Sequence, residues 1–189
     1  MPEKEMISME EAKKEVELAS RRVGLLHLAY AETLIEKFGE EKGKEIILAA
    51  IKNYGLKVGK KVKQEVEKLG EKAEPENYGI KSSRNLPKFG MNDKVEEVEV
   101  DGEKRLRAYG CVMAKVWKEY GKEDIGKLYC YVDPAKYMGF NPNYKMIHTK
   151  NLPSHDEFCE FIIEETTEKE RNEFFDENSD WSHLDEKLK

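Results

Sequence analysis

The sequence predicts an α+β fold, with an antiparallel sheet of about four strands in two hairpins packed against two long N-terminal helices and two shorter helices. Apolar residues recur at helical spacing up to position 69, Val-rich alternation surrounds Asp101-Gly102, and two more alternating segments lie between 143 and 165. We expect residues 1–165 to form a single α+β domain and residues 166–189 to be an acidic, peripheral C-terminal tail.

Two long helices account for the first third of the chain. The stretch "SMEE" at Ser8–Glu11 is typical of a capping box, which satisfies free N–H groups at a helix start. Gly39 is a natural end for this helix, and a second helix begins near Glu40. Gly55 and Gly59 lie inside the second helix, where they allow either a kink or close packing.

A long loop and a hairpin follow these helices. Residues 70–92 hold several Gly, Pro and Asn residues without periodicity, which predicts a loop. Loops of this length are often lids or binding loops, and disorder is the alternative. In "KVEEVEVDGEKRLRAYG", the alternation on both sides of Asp101-Gly102 predicts a hairpin with a tight turn.

Short helices and a second hairpin make up the rest of the domain. A helix is predicted between Cys111 and Gly121, and "EDIGKLYCYV" indicates another. Asp133 and Pro134 suit the N-cap and first position of a helix through "PAKYMGF". The segments "NYKMIHTKNL" and "EFCEFIIEE", joined by "PSHD", predict the second hairpin.

Composition and the lack of long apolar runs disfavour nucleic-acid-binding, membrane-spanning and secreted proteins. Charged residues form 38% of the chain and the net charge is -6, which disfavours a nucleic-acid partner. No apolar run approaches the roughly 20 residues that span a bilayer, and the N-terminus lacks the apolar core of a secretory signal. We therefore expect a soluble, cytoplasmic protein without a membrane partner. Its three widely spaced cysteines indicate free thiols or metal ligands in a reducing compartment.

Residues capable of chemistry concentrate between 111 and 159. The chain lacks the phosphate-binding, dinucleotide-binding, nucleophile-elbow and HExxH signatures. Cys111 stands at a predicted helix start, where free N–H groups favour a thiolate by about one pKa unit. That effect alone does not fully ionise the thiol, so a partner is required, and His148 is the best candidate. The alternative is that Cys111 is a small buried apolar residue.

The other candidates allow two interpretations each. Cys130 and Asp133 would share a helix face, and Asp133 suits capping as well as catalysis. Cys159 alternates with Phe161, which favours a core position. A zinc site is the rival arrangement, although the ligand separations match no local zinc motif, and we therefore expect no cofactor. Its ligands would be Cys111, Cys130, His148 and Cys159.

Three segments together resemble the L-2-amino-thiazoline-4-carboxylic acid hydrolase family. They are "CVMAKVWKEYG", "LYCYVDPAKYMGFNPNY" and "HTKNLPSHDEFCEF". His155 departs from the family pattern, in which a small residue, often Gly, precedes the Asp. The family's plan is similar to small-molecule-binding domains of the 4-vinyl reductase type. The matching residues are Cys111, Trp117, Gly121, Tyr129, Cys130, Asp133, Asn141, Pro142, Thr149, Asp156, Cys159 and Phe161.

The resemblance implies a hydrolase that opens a small cyclic amidine-like ring at a C–N bond. In that interpretation Cys111 is the nucleophile, His148 the general base and acid, and Asp133 the group that orients His148 or holds the substrate amidinium. The alternative is a non-catalytic binding or sensor domain with a cysteine-based zinc site. A small-molecule substrate is the expected partner, and a homodimer is compatible with the sequence. The expected substrate-binding residues are Cys130, Asn141, Asn143, Thr149, Asp156 and Cys159.

Overall fold

The computed structural model describes residues 6–81, 86–87 and 89–189, so residues 82–85 and 88 of the predicted loop lie outside the described residues. The helices are α1 (Met9–Phe38), α2 (Glu40–Lys68), α3 (Val112–Glu119), α4 (Glu123–Gly126), α5 (Val132–Phe140) and α6 (Glu168–Phe175). The strands are β1 (Lys94–Val100), β2 (Glu103–Tyr109), β3 (Tyr144–Lys150) and β4 (Cys159–Glu165). Short 3₁₀ turns occupy Pro75–Asn77, Lys127–Tyr131, Leu152–Ser154, Ser182–Leu184 and Glu186–Leu188.

The long helices form where the sequence predicts them. The backbone N–H of Glu11 donates to the Ser8 hydroxyl at 3.1 Å, and the Ser8 N–H donates to the Glu11 carboxylate at 2.9 Å. This capping box satisfies two N–H groups that the start of α1 would otherwise leave free. Gly39 has a φ of +80°, a conformation that glycine adopts without strain, and it separates α1 from α2.

The glycines inside α2 allow close packing and not a kink. Helix α2 runs without interruption and packs on α5. A Cβ atom at Gly55 would lie 2.5 Å from the Cβ of Ala135, and one at Gly59 would overlap the carbonyl oxygen of Lys136. The backbones of the two helices therefore touch at a distance that no other residue type permits.

The sheet has the strand order β1-β2-β4-β3, and all its pairs are antiparallel. This confirms the α+β class with four strands in two hairpins. Asp101 and Gly102 have φ values of +54° and +80°, as a two-residue hairpin turn with a matching twist requires. Leu106 and His148 each pair with Phe161 across β4, so these three side chains lie on one face, toward the helices.

The region before α5 differs from the prediction. A 3₁₀ turn at Lys127–Tyr131 leads directly into α5, so "EDIGKLYCYV" is not one regular helix. Tyr131 is the N-cap of α5 and Asp133 lies inside the first helical turn, so the predicted capping role of Asp133 is wrong. Because the 3₁₀ turn leads directly into α5, the Asp133 carboxylate does not cap the helix and can pair with other side chains.

The prediction of a peripheral tail is also wrong. Four apolar side chains of this segment are at most 4% exposed and pack in the main core: Phe174, Trp181, Leu184 and Leu188. Their acidic neighbours lower the mean hydropathy of the segment and hide this apolar set. The segment is therefore part of the domain. In the described part of the chain, no helix is long and apolar enough to cross a membrane.

Candidate functional site

A cavity of about 1120 Å³ lies between the helix-facing side of the sheet and helices α2 and α5. Its wall contains every residue that the sequence analysis considered for catalysis or for the zinc alternative. The fold thus brings five residues from four separate segments to one hollow. They are Cys111, Cys130, Asp133, His148 and Cys159.

His148 is held in one orientation by a buried carboxylate from the C-terminal segment. Its Nδ1 lies 2.7 Å from Oδ2 of Asp185, and its backbone N–H donates to the same oxygen at 3.0 Å. The side chain of Asp185 is fully buried, and its Oδ1 has no hydrogen-bond partner among the described residues. The carboxylate keeps a proton on Nδ1, so Nε2 is the nitrogen that can take up or release a proton.

Asp133 connects this histidine to a buried cation. Its Oδ2 lies 3.7 Å from His148 Nε2, and its Oδ1 accepts a hydrogen bond from the ammonium of Lys136. Burial alone would lower the pKa of Lys136, but the Asp133 carboxylate outweighs burial and raises it. Lys136 is therefore charged at neutral pH. We call Asp185, His148, Asp133 and Lys136 the His148 cluster.

Burial favours the neutral form of the three thiols beside the cluster. Burial raises the pKa of Cys111, and the backbone N–H groups of Ala114 and Met113 offset this only in part, without a regular capping hydrogen bond. Burial also raises the pKa of Cys130 well above its usual value, and Cys159 and Asp133 add to the effect. The predicted advantage of the helix start for Cys111 exists, but burial is the larger effect.

Cys159 is the least exposed residue of the three cysteines. Burial raises its pKa to about 12, although the Leu152 N–H donates to its sulfur at 3.3 Å. Its position also agrees with the core placement that the alternation with Phe161 predicts. It therefore forms part of the cavity wall as a neutral, packed group.

Four residues expected to bind substrate lie outside the cavity lining. The Asn141 side-chain amide donates to the Ala73 carbonyl at 2.8 Å, and its Oδ1 accepts the backbone N–H of Asn143 at 3.0 Å. Thr149 faces the opposite side of the sheet and donates to Glu160 at 2.7 Å.

Asp156 accepts the backbone N–H of Asn151 and pairs with Lys187, both at 2.8 Å. The side chains of Asn141, Thr149 and Asp156 and the backbone of Asn143 thus hold loops and strands together. None of the four residues lines the cavity, and their role in binding substrate stays a prediction.

The turn before Asp156 has a backbone conformation at His155 that suits the small residue of the family pattern. His155 has a φ of +69°, in the left-handed region that favours glycine, and its N–H donates to the Leu152 carbonyl. The turn that a glycine would adopt easily is therefore kept here with a histidine. Its exposed side chain lies outside the cavity lining.

Two members of the His148 cluster were missed by the sequence analysis. Lys136 lies three residues after Asp133, a helical spacing that places both side chains on one face. Asp185 lies between Leu184 and Leu188 in the segment expected to be peripheral. The spacing of Trp181, Leu184 and Leu188 was the available signal that this segment is buried.

A metal site finds no geometric support in the described parts of the chain. No group of three or more His, Cys, Asp or Glu side chains there is arranged so that it could hold a metal ion. The cysteines and His148 share a cavity wall, but they do not converge on one point as zinc ligands do.

The geometry can be compared with known families. The family model of L-2-amino-thiazoline-4-carboxylic acid hydrolase matches residues 19–163. This chain belongs to that family. The match runs from α1 to β4 and includes the three cysteines, Asp133, Lys136 and His148, whereas Asp185 lies outside it. Neither a curated protein nor a solved structure matches the chain.

Proposed function

We propose that this protein is a hydrolase that opens a small cyclic amidine, such as 2-amino-thiazoline-4-carboxylate, by attack of the Cys111 sulfur. One observation carries the proposal: Cys111 shares a cavity wall with His148, whose ring is held by a buried carboxylate. Membership of the family supports the substrate class.

The charges of the His148 cluster fit a zwitterionic substrate. A protonated amidine would pair with the Asp133 carboxylate, and the substrate carboxylate would pair with the Lys136 ammonium. In the free protein these two side chains pair with each other, which keeps both charged inside the cavity. The substrate would exchange one internal ion pair for two, and the desolvation of Asp133 and Lys136 has already occurred during folding.

Cys111 suits the role of nucleophile better than the other two thiols. Its sulfur is the one favoured by two helix N–H groups, which offset part of the effect of burial on its pKa. A neutral thiol is acceptable in the resting state, because the proton can leave as the sulfur attacks. Burial then protects the thiol from reagents until substrate arrives.

The proposed reaction has two stages. In the first, the Cys111 sulfur bonds to the ring carbon between nitrogen and sulfur, and the thiol proton passes through His148 Nε2 to the ring nitrogen. The bond between that carbon and nitrogen breaks, and its electron pair stays on nitrogen as the amine. In the second, water attacks the same carbon, His148 accepts a water proton and returns it to sulfur, and the Cys111 thiol leaves as the carbamoyl product departs.

The proposal is tested with 2-amino-thiazoline-4-carboxylate and the variants Cys111→Ala and Cys111→Ser. Both variants should lose at least about 10³-fold in kcat while the matched control Cys159→Ala keeps most activity. Mass spectrometry of rapidly quenched wild-type protein should find the substrate mass on the peptide that contains Cys111.

Wild-type turnover by Cys111→Ala would remove Cys111 as the nucleophile. If the wild-type protein binds this compound but does not convert it, and contains stoichiometric zinc, the binding or sensor domain is the correct interpretation.

A further inference from the structure

The cavity is larger and more apolar than a small zwitterion requires. Its volume of about 1120 Å³ exceeds the range of about 300–1000 Å³ that is typical of sites for drug-sized ligands. A five-membered ring with two small substituents fills only a small part of that space. His148 lies on β3 at one edge of the sheet, whereas the cavity lining extends to Val95 on β1 at the other edge, so much of the volume lies away from the proposed reaction centre.

Apolar side chains of the sheet line one side of that remaining volume. Phe161 packs on His148 with ring centroids 4.5 Å apart, and Leu106 is the cross-strand partner of Phe161. Since strands are about 4.8 Å apart, this row extends about 10 Å from the histidine. Ile163 and Val95 lie beside the row and line the same cavity.

Several of these side chains are exposed, although they face inward. Val95 is 47% exposed and Ile163 is 40% exposed, and Tyr54, on the α2 side of the cavity, is 46% exposed. Large apolar side chains gathered in one concave surface mark a site that an apolar group covers. Charged residues close the far end of the row, where Glu97 pairs with Leu106.

We infer that the natural ligand is an amphiphile, a cyclic amidine or similar charged head with an apolar substituent about 10 Å long. The head pairs with Asp133 and Lys136, and the substituent lies over Phe161, Leu106 and Val95. The inference rests on the proposed function for the identity of the head, while the apolar floor is independent of it. We call the surface formed by Phe161, Leu106, Ile163 and Val95 the apolar floor.

The test compares two compounds by calorimetric titration. They are 2-amino-thiazoline-4-carboxylate and the same compound with a benzyl group on ring carbon 5. The benzyl compound should bind at least about tenfold more tightly, because it removes the apolar floor from water. Leu106→Trp should abolish this advantage by filling the floor.

Val98→Trp is the matched control, since Val98 lies on the neighbouring strand and outside the cavity lining. It should leave the tenfold advantage intact. Val95→Asp, at an exposed position, replaces Leu106→Trp if that variant does not fold, and it should reduce the advantage to below threefold.

The outcomes separate this inference from the hydrolase proposal. Turnover of the parent compound without tighter binding of the benzyl compound overturns the apolar floor and leaves the hydrolase standing. Tighter benzyl binding without turnover of either compound overturns the hydrolase and supports the floor. Absence of binding by both compounds overturns both.

Discussion

The two faces of the sheet each carry buried charged groups, but they satisfy them differently. On the outer face Glu160 accepts hydrogen bonds from Thr149 at 2.7 Å, Arg107 at 2.7 Å and Arg105 at 2.9 Å. On the cavity face His148 is held by Asp185 from the C-terminal segment, and that carboxylate leaves one oxygen without a partner among the described residues.

The two arrangements lie on opposite sides of β4. Glu160 faces outward, and the next residue, Phe161, faces the cavity and packs on His148. Both carboxylate oxygens of Glu160 have partners in this network, although Arg105 Nε has none among the described residues. A buried carboxylate that is satisfied in this way stabilises a fold. Asp185 does not line the cavity, so its carboxylate can act on a ligand only through His148, which does. The comparison predicts that changes on the outer face affect stability and that changes on the cavity face affect activity.

The largest expected effect is on the cavity face. Asp185→Asn should lower kcat by about 10³-fold, or about 4 kcal/mol, because the amide no longer stabilises the charged imidazole during proton transfer. The measurement is steady-state turnover of 2-amino-thiazoline-4-carboxylate, with circular dichroism to verify the fold. Glu186→Gln, an exposed neighbour, is the control and should keep its activity. A kcat within threefold of wild type for Asp185→Asn would contradict a role for this carboxylate.

The outer face should show the opposite result. Burial alone would raise the pKa of Glu160, but the hydrogen bonds from Thr149, Arg107 and Arg105 hold it at about 2, below its ordinary 4.5. A lowered pKa stabilises the fold above pH 4.5, and this contribution is lost as the pH falls toward 2. Glu160→Gln should cost up to about 3 kcal/mol of unfolding free energy at pH 7.

Urea unfolding between pH 2 and pH 7 measures this effect. The variant should have a flatter dependence of stability on pH in the acid range, with kcat nearly unchanged. Glu164→Gln is the control, since Glu164 is more exposed and its lysine partner lies 3.5 Å away. An equal loss of stability in both variants would argue against a special role for the Glu160 network.

A moderate effect is expected for thiol reactivity. Because the pKa values of Cys111, Cys130 and Cys159 are raised, fewer thiolates exist at pH 7 than in a free peptide. Iodoacetamide should therefore react with each roughly tenfold more slowly than with free cysteine, and the rate should keep rising above pH 9. Peptide mass spectrometry over a pH series gives the rates. Rapid modification of Cys111 at pH 7 would show that its thiol is already ionised.

The smallest effect is expected outside both networks. His155→Gly should stabilise the protein by up to about 1 kcal/mol, because the left-handed backbone at this position suits glycine. Glu157→Gly, two residues later, should instead destabilise slightly through chain entropy. Chemical denaturation measures both, and kcat should stay at the wild-type value. Destabilisation by His155→Gly would indicate that the histidine side chain has a structural contact of its own.

Local signals in the sequence predicted much of the fold. The Asp101-Gly102 pair, the alternation around it and the helical spacing before Gly39 each depend on near neighbours, and the structure agrees with them. The site was partly accessible in the same way, because the resemblance marked Cys111, Asp133 and Cys159 as a set, while His148 was the candidate partner for Cys111.

The missing parts depend on distant contacts. Asp185 meets His148 across 37 residues, and only the packing of the C-terminal segment brings them together. The positions of Asn141 and Thr149 outside the cavity lining could not be predicted for a different reason. Their amide and hydroxyl groups suit a ligand as well as a loop, and residue type cannot distinguish these uses. Lys136 could be recognised only once Asp133 was known to lie inside α5 and not at its cap.

The contact of α2 with α5 has a consequence for how this protein can change. Gly59 touches the backbone of Lys136, so the spacing between α2 and α5 fixes the position of the Lys136 ammonium in the cavity. Even the smallest added side chain there would push α5 toward the sheet or tilt it. A substitution at Gly59 would therefore alter ligand preference, although Gly59 itself does not line the cavity.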